Sequence, residues 1–195
     1  MSQIFSDPPF RRGTTLCAGD LTGTGTGNDL PGAEIVGQVK VFQDVNPSSG
    51  VRNSNRLVYC VACRYKGTTV SDGSTVAGLA YTIDLAFENG KPFATFTTAA
   101  TNTDAGNLRH IGVLDEYLTG SLTQNDVAWL VIKGPTSFRQ SASTSLASGA
   151  KVELTGSAGK MQAVNTGTPL GIQIAGAATT TADANVRVNL VCDWA

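Results

Sequence analysis

The chain has a single histidine, His110, among its 195 residues, and only 15% of its residues are charged, where about a quarter is usual. Each shortage excludes something. A Ser-His-Asp triad would have to use His110, yet no G-x-S-x-G sequence places a nucleophile, and L-R-H-I-G reads as strand. There are four cysteines, Cys17, Cys60, Cys63 and Cys192. Cys60 and Cys63 have C-x-x-C spacing, but a zinc site lacks a second ligand pair, and residues three apart on a strand point to opposite faces. The expectation is unbridged thiols with no metal or other cofactor. No block of Lys or Arg exists and the net charge is −1, which leaves nucleic acid without an electrostatic footprint. No apolar run approaches the ~18 residues of a membrane-spanning helix. The first residues lack the apolar core of a signal peptide, so the expectation is folding in a cytoplasm. The loop acids Asp20, Asp29 and Asp72 lack EF-hand spacing.

What the chain does have is Thr, Ser, Asn and Gly around short runs of Val, Ile and Leu, with 41% hydrophobic residues, enough for a core. Residues 112–190 show the pattern best: G-V-L-D-E-Y, N-D-V-A-W-L-V-I-K-G-P, A-S-G-A-K-V, G-K-M-Q-A-V, L-G-I-Q-I-A and V-R-V-N-L-V. Such runs, cut at close intervals by Gly, Pro, Asn and Ser, spell a compact antiparallel β domain. Val186, Val188 and Leu190 share one strand face, with Arg187 and Asn189 on the other. Trp129 lies in a run that is apolar on both faces, which places it in the core. The Lys133-Gly134-Pro135 segment is expected to turn one strand into another over 136–140. Residues 34–42 and 57–65 read as strands, with Gly37 as a bulge and 44–55 as a long loop. Residues 78–87 and 92–98 form a hairpin about Asn89-Gly90, and Pro92 favours an edge position. Short stretches at 114–118 and 119–125 are the only helix candidates.

The first 32 residues differ. Asp7-Pro8-Pro9 and Leu30-Pro31-Gly32 break regular structure, and the tract between them is rich in Gly and Thr without matching G-x-G-x-x-G. We read an extended arm, 1–32, with Ile4, Phe5, Phe10 and Leu16 as anchors for a neighbouring subunit, and Trp194 near the other end as a further partner-binding candidate. The rest, 33–195, is an all-β body, a β-sandwich or β-barrel, or two packed subdomains at 33–107 and 108–195. No residue is assigned a catalytic role. The adjacent acids Asp115 and Glu116 would suit glycoside hydrolysis only if they converged, and on a strand they diverge, so a solvated face is expected. Tyr59, Tyr65, Tyr81 and Trp129 could form a sugar-stacking platform, but scattered strand aromatics are usually core.

In its order of motifs the stretch 112–190 resembles the capsid decoration, or cement, proteins of tailed bacteriophages. The motifs are a strand ending in Lys-Gly-Pro (Lys133, Gly134, Pro135), a small-residue segment closing on Gly149, a Gly-Lys strand (Gly159, Lys160, Met161), a Leu-Gly-Ile segment (Leu170, Gly171, Ile172), an Ala/Thr-rich loop, and a final Val-Arg-Val-x-Leu ending at Leu190. The first half does not follow that pattern. The resemblance implies a non-enzymatic minor capsid protein on the outside of the virion, clamping major capsid subunits, as a homo-oligomer with a trimer favoured over a dimer. The rival readings are a tail or fibre adaptor and a carbohydrate-binding β domain.

Overall fold

In the computed structural model the described residues are 11–16, 35–88, 91–101, 110–142, 144–156, 159–165, 169–173, 178–179 and 184–191. Twelve strands run through them: β1 (Val39–Val45), β2 (Arg52–Tyr65), β3 (Ala80–Glu88), β4 (Lys91–Ala99), β5 (Ile111–Leu114), β6 (Val127–Gln140), β7 (Ser145–Leu146), β8 (Lys151–Leu154), β9 (Met161–Ala163), β10 (Gly171–Gln173), β11 (Ala178–Thr179) and β12 (Ala184–Val191). The fold is all-β. Among the described residues the one helical element is a 3-10 turn, Gly73–Thr75, capped by the Asp72 carboxylate, which accepts the Ser74 N–H at 2.9 Å. Neither helix candidate formed. Leu114 ends β5, residues 115–117 turn, and Leu122 makes a backbone bridge to Val70 instead.

Ten strands form one mixed sheet in the order β1-β2-β4-β3-β5-β6-β12-β10-β8-β9, with added pairings β2–β6 and β6–β9. Those two extra pairings close the sheet on itself twice. One ring runs β2-β4-β3-β5-β6 and the other β6-β12-β10-β8-β9. The rings are small barrels that share β6, a strand of 14 residues. Closure removes strand edges that would otherwise invite aggregation. The first ring takes strands from both sides of residue 107, because β5 and the first half of β6 complete it.

The two halves of β6 were expected to be separate strands turned at Gly134-Pro135. They are one strand, and the chain bends without breaking. The register against β2 shifts between Tyr59 and Cys60, a bulge that re-aims the strand where it leaves one ring for the other. Gly134 sits at φ 98°, and a Cβ there would lie 2.2 Å from the Leu57 carbonyl oxygen, so glycine is required by conformation and by space. Pairing with β2 ends at Lys133, so Pro135 pairs only with β12, through Asn189, and its missing N–H interrupts little.

Each ring has its own filling. In the first, Tyr65, Phe96 and Tyr81 pack ring to ring at 5.1 and 5.2 Å. Trp129 is 1% exposed and meets Phe42 edge-on at 5.3 Å, as its apolar surroundings required. In the second, Phe138, Val152, Leu154, Met161, Val188 and Leu190 are fully buried. The expected alternation on β12 is present: Val186, Val188 and Leu190 face in, while Arg187 and Asn189 are half-buried.

Local expectations fared unevenly. Glu88 pairs with Lys91, which leaves two residues for the hairpin connection, and Asn89-Gly90 itself lies outside the described residues. Pro92 pairs with Phe87 on β3, whereas the parallel contact of β4 with β2 spans Thr95 and Phe96. Gly37 N–H and Gln38 C=O both bond Ala62, two residues opposite one, so the bulge is present just before β1. The long loop at 44–55 is shorter than expected. It is a hairpin turned at Asn46, whose side chain accepts the N–H groups of Ser48 and Ser49, and β2 starts at Arg52. Its first residues are solvent-exposed, so no apolar alternation announced them.

Candidate functional site

The most organised polar feature is a charged clamp where residues 11–16 meet the body. Two arginines and three carboxylates interlock there. Arg12, 3% exposed, bonds Asp115 Oδ1 through Nε (3.1 Å) and Nη2 (2.8 Å), and reaches Glu116 Oε1 at 3.3 Å. The Gly13 N–H donates to the other oxygen of Asp115 at 2.6 Å. Arg187 on β12 holds both oxygens of Glu116 at 2.6 and 2.7 Å and also donates to Asp44 on β1. Ser54 and Asn53 donate to Asp44, and Ser137 on β6 donates its backbone N–H to Glu116. The Tyr117 ring stacks under the Arg12 guanidinium at 4.9 Å, and its hydroxyl accepts from Asn53 at 2.6 Å.

Local chain geometry makes this possible. Asp115, Glu116 and Tyr117 form the turn that leaves β5, anchored by the Asp115 N–H on the Trp129 carbonyl at 3.0 Å. In a turn, adjacent side chains need not diverge, so the solvated face expected for Asp115-Glu116 is corrected: Asp115 is buried and the Glu116 side chain is only 6% exposed. On the other side, Gly13 sits at φ 81°, and a Cβ there would meet Tyr117 at 3.1 Å, so the strap formed by residues 11–16 passes close only because this residue is glycine. Four residues after Arg12, Leu16 exchanges two backbone hydrogen bonds with Val127 at 2.9 and 3.0 Å and packs on the core.

The electrostatics follow from burial and pairing. Burial alone would lower the Arg12 pKa, but Asp115 and Glu116 outweigh it and hold the guanidinium firmly charged. Burial pushes the Asp115 carboxyl above its ordinary value, against the pull of Arg12 and the Gly13 N–H. At Asp44 burial also pushes up, yet the hydrogen bonds from Arg187 and Ser54 win and the pKa falls below its ordinary value. Chemically the clamp is committed. Each carboxylate is saturated by cations and N–H or O–H donors, which suits a structural fastener and leaves no acid free to protonate a substrate.

The residues singled out from sequence fall as follows. Of the partner-binding candidates, Ile4, Phe5, Phe10 and Trp194 lie outside the described residues. Leu16 is half-buried on this chain's own core. The arm was expected to order against a neighbour, but its segment 11–16 is part of this body. Arg12 and Gly13 were missed because only apolar anchors were sought. The available signal was Arg11-Arg12-Gly13, a charged step in an otherwise sparsely charged arm. Cys60 and Cys63 are free thiols, buried on both faces of β2, and burial pushes both upward from their ordinary pKa. Cys17 and Cys192 lie outside the described residues. His110 is half-buried ahead of β5, where its carbonyl accepts the Ile83 N–H. Tyr65, Tyr81 and Trp129 are buried, so they present no stacking platform. The described residues also line open depressions. One, about 390 Å³, is lined by Asn46, Asn53, Glu116, Tyr117, Ser137 and Arg187 beside the clamp. Another, about 510 Å³, lies against Tyr65, Lys66 and Thr97.

No protein-family model matches the chain, and no curated protein matches it. Among solved structures it is similar to the N base of head fiber gp8.5 in bacteriophage phi29, with a TM-score of 0.39 and 12% identity, over 68% of this chain and 94% of that one. An overlap of this size carries no functional argument.

Proposed function

We propose that the chain is a virion structural protein of a tailed bacteriophage, a minor capsid (cement) protein that binds the outer surface of the head and stabilises contacts between major capsid subunits. One observation carries the reading. The motifs behind the cement-protein resemblance fall, with the exception of the start at 112, along the stretch from β6 to β12, in which β6, β12, β10, β8 and β9 close a ring of their own and β7 and β11 pair separately. The first motif ends where β6 leaves β2, and the later ones follow one another through the second ring and the small β7–β11 sheet, so most of the resemblance gathers in one part of the molecule. The rest is compatible: a stiff closed β body, a fastened strap at its N-terminal side, and polar clusters tied up in structure. A cement protein needs rigidity and many copies, and repetition over a lattice makes modest contacts effective.

The test is heat resistance of undecorated heads with and without the purified protein. Protected heads support the reading. A glycan array with specific binding, and heads that gain nothing, would move the chain to the carbohydrate-binding alternative.

A further inference from the structure

The strap is a pre-shaped segment and the body is its socket. Thr14 Oγ1 donates to the Arg11 carbonyl at 2.8 Å, so the turn of the strap is held by its own atoms. The socket lies along the edge of β6 that β5 leaves unfilled. β5 pairs with Leu130 and Val131, the Asp115 N–H takes the Trp129 carbonyl, and Leu16 then bonds both backbone groups of Val127. Four residues before Leu16, Arg12 meets Asp115 and Glu116 beside the Tyr117 ring. The socket thus fits a cation four residues ahead of an apolar residue in strand conformation, with glycine directly after the cation. In strand addition of this kind backbone bonds give affinity and side chains give specificity.

The connection from strap to body is longer than this contact requires. Val127 has Leu16 on one edge and Arg64 of β2 on the other, and Ala62 of β2 accepts the Gly37 N–H just ahead of β1. Leu16 and Gly37 are thus three strand spacings apart, ~15 Å at ~4.8 Å each. About five extended residues would cover that distance, and connections of ~4–6 residues are the commonest kind. Residues 17–34 number 18, five of them glycine. A chain of that length can reach ~60 Å, beyond the ~40 Å width of a body of this size. Length in excess of the span lowers the effective concentration of a tethered segment at its own socket.

We propose that the strap is exchanged between copies: residues 11–16 of one chain fill the socket of a second, with Arg12 against the Asp115 and Glu116 of that copy and Leu16 paired to its Val127. The occupant follows from the fit, because the segment seated in the socket matches it in charge and backbone register, and every copy carries one. Exchange repeats each contact of the single chain, so interaction energy is conserved and the tether alone favours the closed form. Copies held side by side lose much of that preference. Straps passed in one direction round a ring close a trimer as readily as reciprocal exchange closes a dimer. The inference does not depend on the capsid reading.

The experiment mixes two forms of the full chain. One is isotopically heavy and carries a photo-crosslinking residue at position 11, where the side chain is exposed. The other is light and unmodified. After incubation at rising concentration and illumination, mass spectrometry sorts the products into heavy–heavy and heavy–light. Exchange predicts heavy–light products that join position 11 to the turn at 115–117, growing with concentration alongside an oligomer in sedimentation equilibrium. Arg12→Ala in the heavy chain should cut these products at least ~tenfold, since it removes the buried partner of Asp115. Should Arg12→Ala unfold the body, Leu16→Pro removes the N–H given to Val127, leaves the charged pair in place, and is expected to give the same loss. Products that stay heavy–heavy at every concentration overturn the proposal. So do heavy–light products that survive both substitutions, which would report random encounters.

Discussion

The first and second halves of β6 hold the same kind of residues in different settings, and the difference explains much of the molecule. From Val127 to Ile132 the strand is buried on both faces, with Phe42 over Trp129 on one side and the first ring on the other, and Leu16 of the strap bridged to its first residue. From Lys133 to Gln140 it is an ordinary barrel strand, with Thr136, Phe138 and Gln140 fully buried and Ser137 and Arg139 half-buried. The first half is sealed by added chain, the second by closure alone. The charged clamp sits at the junction, tying β1, the turn after β5, β6, β12 and the strap into one corner.

Substitutions on the roofed face of β6 and in the second filling probe whether the rings are one cooperative unit. Trp129→Ala and Phe138→Ala should each cost ~3–5 kcal/mol, as large cavities in tight cores do. Because both rings share β6, each variant should shift a single thermal transition seen by all probes. Two separated transitions, with Phe138→Ala moving only one, would show that the rings melt independently.

Breaking the clamp comes next in size. Asp115→Ala leaves the Arg12 guanidinium buried without its partner, a change that typically costs ~3–5 kcal/mol, and the loss should be local to the sealed half. Amide exchange at Leu16 and Val127 should accelerate together while amides of β12 stay protected. Uniform acceleration, or none, would remove the strap from the sealing of β6.

Acid sharpens the same corner. Asp44 has a folded pKa below its unfolded value, so its stabilisation is full above the ordinary carboxylate value of ~3.9 and is lost as pH falls through the folded one. Asp115 has the opposite sign, because its raised folded pKa makes the native state bind protons more readily than the unfolded chain. Stability measured by urea melts from pH 7 to pH 3 should therefore fall less steeply in Asp44→Asn than in the wild type, and more steeply in Asp115→Asn. The reverse ordering would show that the two carboxylates have been assigned the wrong roles.

The smallest effect belongs to the exposed face of β1. Val39→Thr should change the stability of the isolated protein by no more than ~0.5 kcal/mol, since the side chain already faces solvent. A larger loss by chemical denaturation would mean that this face is covered.

Much of this architecture could be read from the chain and some could not, for physical reasons. Apolar periodicity exposed Trp129, the alternation of β12 and the β3–β4 hairpin, because side-chain alternation is a local consequence of the strand. Gly134-Pro135 misled because the pair usually marks a turn, whereas here glycine lets a strand bend between two rings, a demand set by Leu57 far off in sequence. The polar start of β2 carried no pattern because both its faces meet water. Asp115 and Glu116 were misplaced because their burial depends on Arg12 and Arg187, more than 70 residues distant on either side. Ring closure leaves no mark in the sequence at all.

The most direct measurement of function is gradient co-sedimentation of the purified chain with undecorated phage heads and, separately, with tails. A cement protein should travel with heads at saturable, lattice-related stoichiometry and ignore tails. Binding to tails, or to neither particle, would contradict it.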